Sequence, residues 1–176
     1  MILTKAIGVG IYSAAIKKER LAPSGYAEMI QSTTLLNRIG PELAQDPNVH
    51  AITDVTGFGL LGHALEMARG SSCALVIRAG DIPLFSEAAS LARDGYVTGA
   101  SRRNWASYGE AVMLPEDMPE WCRHLLTDPQ TSGGLLIACQ GDGAAALVEK
   151  IIAAGNPSAR LVGHVEQGPP SVSVQA

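Results

Sequence analysis

The chain has 176 residues, a formal net charge of −4, and 17% charged against 47% hydrophobic residues. That length suits one domain with a real core. No Lys/Arg run and few aromatics exclude a nucleic-acid partner, and no apolar run reaches membrane-spanning length. The N-terminus lacks the basic-then-apolar pattern of a signal peptide. Cys73, Cys122 and Cys139 are odd in number and form no CxxC, which argues against a disulfide framework and fits a cytoplasmic protein. The low charge fits a face covered by another domain or subunit. A small anion held by backbone amides and a metal is compatible with it.

The opening "MILTKAIGVGIYSAAIKK" predicts an early strand and no further clear element. Apolar spacing at Met29, Ile30, Leu35, Leu36 and Ile39 predicts a helix, with Pro41 as a break or a new start. "HAITDVTG" reads as a short strand ending in a turn, and "LLGHALEMARG" as a helix stopped by Gly70. "CALVIRAG" is a strand. "PLFSEAASLARDG" is a helix, with Pro83 in its first turn and Gly95 after its end. "YVTGASRRNWASYGEAVMLPED" has no period and is expected to be a loop. "PEWCRHLL" is a helix and "LLIACQ" a buried strand. "DGAAALVEKIIAAGNP" is a helix, with Asp142 as N-cap and Gly155 as stop. "ARLVGHVEQG" and "PSVSVQ" form a short closing strand pair, fraying over 171–176. The alternation predicts an α/β (α+β-like) domain over 1–170, with helices packed against one sheet.

Three stretches can carry chemistry. In "TDVTGFG", Asp54 precedes Gly57, Gly59 and Gly62 at the mouth of a helix. Glycines let amides approach a ligand, and a helix N-terminus presents free N–H groups. Asp54 repels a phosphate directly but holds one through Mg²⁺. The structural alternative is a cap by Asp54 or Thr56 with glycines for packing. The stretch is neither a Walker motif nor a GxGxxG turn. In "TDPQTSGG", Thr131, Ser132 and Gly133 form a polar turn that reads equally as a helix-to-strand connection. In "SRRNW", Arg102, Arg103 and Asn104 suit phosphate, or a solvated loop with Trp105 on the core. His50, His63, His124 and His164 lack metal spacing and are read as structural. No nucleophile is visible by spacing.

"LTKAIGVGI", "TDVTGFGLLGHALEM", "SRRNWASYG" and "TDPQTSGGLLIA", in this order, resemble the C-terminal half of the selenophosphate synthetase (selenide, water dikinase) family. The closing "ARLVGHV" is similar to that family's last core strand, and the resemblance covers nearly the whole chain. It implies an ATP-dependent enzyme that makes selenophosphate from selenide, with AMP and phosphate as co-products. It also implies the C-terminal α/β domain shared with aminoimidazole ribonucleotide synthetase and its superfamily, a mixed β-sheet layered with helices. By the same resemblance Asp54 matches an acid of the Mg²⁺ site at the ATP phosphates. Thr56, Gly57, Gly59, Arg103, Asn104, Thr131, Ser132 and Gly133 are then expected to line the cleft.

The family's ATP-binding N-terminal domain, with its catalytic Cys or selenocysteine and the other metal-binding acids, has no counterpart here. No catalytic residue is therefore assigned in this chain. The cysteines inherit no role, and the resemblance implies a homodimer formed through that other domain. Ala6 stands where the family has Pro. "MILTK" reads as a fragment beginning near the domain boundary, expected to fold without turning over. Two alternatives stand beside this reading: another ATP-dependent superfamily member of the purine-pathway type, or a stand-alone anion-binding or assembly module.

Overall fold

The computed structural model describes residues 1–176. Eight strands form two sheets, so the expected single sheet is corrected. The first contains β1 (Ile2–Leu3), β2 (Val49–Asp54), β5 (Leu135–Cys139) and β6 (Arg160–Leu161), in the order β2-β5-β1-β6 and antiparallel throughout. The second contains β3 (Ala74–Arg78), β4 (Val112–Met113), β7 (Gly163–Glu166) and β8 (Ser171–Gln175), in the order β4-β8-β3-β7. In it β8 runs parallel to both β3 and β4, while β7 is antiparallel to β3. The mixed α/β class holds; only Val162 separates β6 of the first sheet from β7 of the second, so nothing in the sequence announces where one sheet ends.

The helices are α1 (Val9–Ile16), α2 (Pro23–Thr34), α3 (Gly40–Leu43), α4 (Gly59–Ser71), α5 (Ala88–Arg93), α6 (Gly99–Tyr108), α7 (Glu120–Leu126) and α8 (Ala144–Ala153). β5 is apolar at every position because both its faces are covered. Leu136 and Ala138 join the main core with Leu60, Leu61 and Leu65 of α4. Leu135 and Ile137 face the other way, into a cluster with Leu147 and Ile151 of α8. Leu3 and Ile2 of β1 divide in the same manner. The main core continues through α4 to Leu75 and Ile77 of β3 and to Val172 and Val174 of β8. One helix thus joins the two sheets, and a third cluster holds α1, α5 and α7 together through Ile11, Tyr12, Leu91 and Leu125.

Several local expectations are corrected. Ser171–Gln175 are not frayed: alternate Val172 and Val174 are buried, and the strand lies between β4 and β3. The stretch expected to be a loop contains α6, started by Thr98, whose side chain accepts from the Ser101 N–H at 3.1 Å. α4 runs past Gly70 and stops at Ser72, which takes the left-handed conformation (φ 52°). α8 starts from Gly143 rather than Asp142, with no side-chain cap. Pro83 lies outside α5, and its carbonyl accepts from the Ile7 N–H in an extended crossing.

α1 begins after Gly8, which has no side chain to cap it, so its free N–H groups are satisfied from far along the chain. Gly8 and Val9 donate to Gln130 Oε1, at 3.1 and 3.3 Å. Gly10 and Ile11 donate to Asp128 Oδ2, at 2.8 and 3.3 Å. A side chain at Gly10 would collide with the Asp128 carboxylate. Gln130 Nε2 donates to that same oxygen at 3.0 Å, while Oδ1 is buried without a partner. Burial pushes the Asp128 carboxyl up to about 7, against the opposing pull of the donors from Ile11, Gly10 and Gln130.

A carboxyl raised on folding takes up a proton as the chain folds. Its contribution is present in full below the unfolded value near 3.8 and is lost as the pH rises to about 7. Asp128→Asn keeps the shape and an acceptor without the charge. Its stability relative to wild type is expected to rise between pH 4.5 and pH 8, by at most on the order of 4 kcal/mol. Denaturant unfolding of both proteins across that range checks this, and a difference independent of pH would refute it.

Candidate functional site

Three stretches far apart in sequence meet beyond the ends of β2 and α7. β2 pairs with β5 up to Asp54 opposite Leu135. The zipper continues into the turn: Val55 N–H donates to Gly134 O at 2.8 Å and Gln130 N–H to Thr56 O at 3.0 Å. α6 closes the assembly through Asn104, which is buried. Its Nδ2 donates to Gly57 O at 2.8 Å and to Thr127 O at 3.0 Å. Beneath it, Ser101 Oγ lies 2.7 Å from Thr127 Oγ1 and 3.0 Å from His124 Nδ1.

The glycines divide by physical cause. Gly59 has φ +71°, and a Cβ there would lie 2.7 Å from the Thr127 carbonyl carbon, so both conformation and contact demand glycine. Gly133 packs so closely on Val55 O that no side chain fits. Gly57 is exposed and meets nothing, so its own role is confined to the carbonyl that Asn104 holds. Ser132 takes φ 48°, and its carbonyl accepts from Lys5 Nζ at 2.7 Å. That buried ammonium also donates to Ser32 O and Leu35 O at the end of α2. Burial lowers the Lys5 pKa, and three carbonyls surround its charge.

Asp54 is exposed at the strand end, and its carboxylate makes no protein hydrogen bond or ion pair. No group of three or more His, Cys, Asp or Glu residues is placed to hold a metal. Mg²⁺ prefers near-octahedral oxygen coordination, so this chain alone does not fit a complete site. It offers one carboxylate. Arg103 and Thr131 meet elsewhere, in a cleft with Gly10, Lys17, Thr98 and Gly99 that does not include Asp54. Thr131 and Ser132 are both exposed.

His63, read from spacing as structural, belongs to this site. It is buried, with Nε2 3.1 Å from Thr56 Oγ1 and Nδ1 2.9 Å from Glu66 Oε2. The carboxylate approaches off the N–H direction and acts through its charge rather than as a well-aligned hydrogen bond. It favours the tautomer with the proton on Nδ1. Nε2 then accepts from the Thr56 hydroxyl, leaving Thr56 lone pairs for other donors or a cation. The i, i+3 spacing of His63 and Glu66 was the available signal, but nothing in the sequence put Thr56 against the ring.

Two measurements follow from this geometry. Asn104→Ala leaves the Gly57 and Thr127 carbonyls without their donor and is expected to cost about 1–3 kcal/mol in denaturant unfolding; an unchanged midpoint would contradict the bridge. Long-range ¹H–¹⁵N spectra at pH 8 are expected to show His63 with the proton on Nδ1. Glu66→Ala should shift population toward Nε2–H, and an identical pattern in both proteins would remove the role given to Glu66.

The chain matches the family model described as AIR synthase related protein, C-terminal domain, over residues 1–175. It is similar to the selenide, water dikinase of Rhizobium meliloti (strain 1021), with 62% identity over 99% of this chain and 50% of that protein. The selenide, water dikinase of Paraburkholderia xenovorans (strain LB400) is 49% identical, over 99% of this chain and 49% of its own length. The chain thus spans about half the length of the curated relatives it matches. Among solved structures, Escherichia coli HypE superposes with a TM-score of 0.64 at 16% identity, covering 99% of this chain and 45% of that one. Thiamine-monophosphate kinase from Stenotrophomonas maltophilia K279a gives 0.63 at 17%, covering 99% and 49%. At these identities the two structures speak for the fold. The match over nearly every residue makes the chain a member of the AIR synthase related protein, C-terminal domain, family.

Proposed function

We propose that this chain is the C-terminal half of a cytoplasmic selenide, water dikinase, which makes selenophosphate from selenide and ATP with AMP and phosphate as co-products. The observation that carries the reading is the unpartnered, exposed Asp54 at a strand end, in a chain 62% identical to such an enzyme over 99% of its length. In the whole protein Asp54 supplies one carboxylate to Mg²⁺ at the ATP phosphates. The preceding ATP-binding domain supplies the remaining ligands and the nucleophile, and pairs two copies into a homodimer. When bound, the cation offsets phosphate charge during phosphoryl transfer.

This chain's own residues act as a wall. The zipper of Val55 and Thr56 onto 130–134 fixes where Asp54 leaves the strand. Asn104 holds the Gly57 carbonyl back, which sets the approach to the first turn of α4. Glu66 and His63 orient the Thr56 hydroxyl. Thr56, Gly57, Gly59, Thr131, Ser132 and Gly133 contribute the surface of that wall or its rigidity, and none of them breaks a bond.

In the full-length protein, Asp54→Asn is expected to lower selenide-dependent AMP formation at least about tenfold and to raise the Mg²⁺ concentration needed for half-maximal rate. The chain of 176 residues alone is expected to form no AMP. Full activity in the variant would remove Asp54 from the metal site. AMP formation by the chain alone would overturn the division of labour between the two halves.

A further inference from the structure

A pocket of about 230 Å³ lies at the same end of the first sheet as Asp54, on the far side of β5. The strand register places it there. Thr4 N–H donates to Leu135 O at 3.0 Å, and Asp54 pairs with Leu135 from β2. Thr4 and Asp54 thus flank one residue, two strand spacings or about 10 Å apart. α2 and the turn between α8 and β6 form the other walls. None of the residues proposed for the Mg²⁺ and ATP wall lines this pocket.

Its two charged residues have no capacity to spare. Lys5 Nζ donates to Ser32 O, Leu35 O and Ser132 O, at 3.2, 2.6 and 2.7 Å, which uses all three protons. The Glu28 carboxylate accepts from the Tyr12 and Ser86 hydroxyls and from the Ser86 N–H. The groups that remain free are neutral. Asn156 lines the pocket and is 2% exposed, yet its Oδ1 is buried without a partner. Its Nδ2 makes no hydrogen bond in the chain either. The Ala6 and Ser158 N–H groups, also on the lining, have no acceptor. Thr4 Oγ1 accepts from Leu135 N–H at 2.8 Å and keeps its own proton to donate. Leu35 and Phe85 supply an apolar surface.

A buried amide without partners is destabilising and calls for one. The Asn156 amide offers a donor and an acceptor side by side, the complement of the C=O and N–H of a peptide group. An anion would use the donors and leave the acceptor idle, and any ion would meet no spare counter-charge. An uncharged polypeptide backbone uses both.

We infer that this pocket seats an uncharged, extended peptide segment from the half of the full-length protein that lies outside this chain. The Asn156 amide pairs with a peptide group of that segment. The Thr4 hydroxyl and the Ala6 and Ser158 amides hold its carbonyls, and Leu35 and Phe85 take a small apolar side chain. Two observations point to this source. The curated relatives carry about as much chain again, since this one spans 50% and 49% of two of them. The pocket and Asp54 share one end of one sheet, so a surface that faces Asp54 lies over the pocket as well. The inference rests on the reading of this chain as half of a longer enzyme.

The test is photo-cross-linking in the full-length protein, with benzoylphenylalanine in place of Gln31, which is exposed on the pocket rim. An equal mixture of light and heavy isotope-labelled protein separates links within one molecule from links between two. Mass spectrometry of the digest is expected to join the segment around position 31 to a peptide of the other half of the same molecule. Links confined to residues of this half, or formed only between molecules, would overturn the inference. Asn156→Leu keeps the size and removes both polar atoms. In the 176-residue chain, where Asn156 has no partner to lose, it should leave amide exchange within about twofold of wild type. In the full-length protein it should speed exchange of the cross-linked segment at least about tenfold, and equal exchange there would overturn the pairing. Neither readout uses ATP, selenide or metal. A full-length protein that shows the link but forms no AMP would refute the enzymatic reading alone, and one that forms AMP without the link would refute the seat alone.

Discussion

The buried carboxylate of Asp128 is the constraint on which the rest of the site depends. A single oxygen accepts from two α1 amides and from the Gln130 side chain, while Gln130 in turn caps Gly8 and Val9. This ties the helix after β1 to the loop before β5. The interaction comes at the cost of desolvating a carboxyl. In return, the loop from Pro129 to Gly134 has one conformation against which the Asp54 turn can be zipped. Lys5 acts on the same loop from the opposite side, holding Ser132 O while anchoring the end of α2. One buried acid and one buried base thus hold the two flanks of the eight-residue connection from α7 to β5, and no contact between them is needed.

The close approach of backbone to backbone explains why so many motif glycines sit here. Gly133 and Gly134 lie against Val55 O and the Lys5 amide, and Gly59 against Thr127. Each contact consumes space that a ligand would otherwise use. The glycine-rich appearance of "TDVTGFG" and "TSGG" therefore reflects strand and turn packing at least as much as phosphate cradling. Free recognition groups are found just outside the packed seam: the Asp54 carboxylate on one side, and the amides and cations at the start of α6 on the other.

Much of the fold was legible because its elements carry strong local patterns. β5 reads as an uninterrupted apolar run because it is covered on both faces, and α4 and α8 show clear helical stripes. α6 was not legible. Gly99, Ser101, Asn104 and Trp105 are poor or indifferent helix formers, and the helix is held by tertiary bonds from Ser101 and Asn104 that no local pattern announces. The second sheet was hidden for a related reason: β8 gains its place through parallel pairing with β3, a long-range contact. At the site, the motifs marked the right segments without their partners. Asp54 and Arg103 were visible as chemistry-bearing residues, but their separation into two environments is a property of the loop between them. Asp128 and Gln130 looked like turn residues because their acceptors are used more than a hundred positions away.

The electrostatic division of this surface bears on how the domain works with another. A lone exposed carboxylate binds a divalent cation poorly, because too few oxygens replace its water. The two features therefore have different degrees of autonomy. The α1–α6 cleft is lined within one chain, whereas the Asp54 carboxylate stands alone at its strand end with no second metal-ligating group beside it. Rigidity of the intervening loop then matters more than the strength of either feature. It fixes the relation between the exposed Asp54 carboxylate and the cleft between α1 and α6.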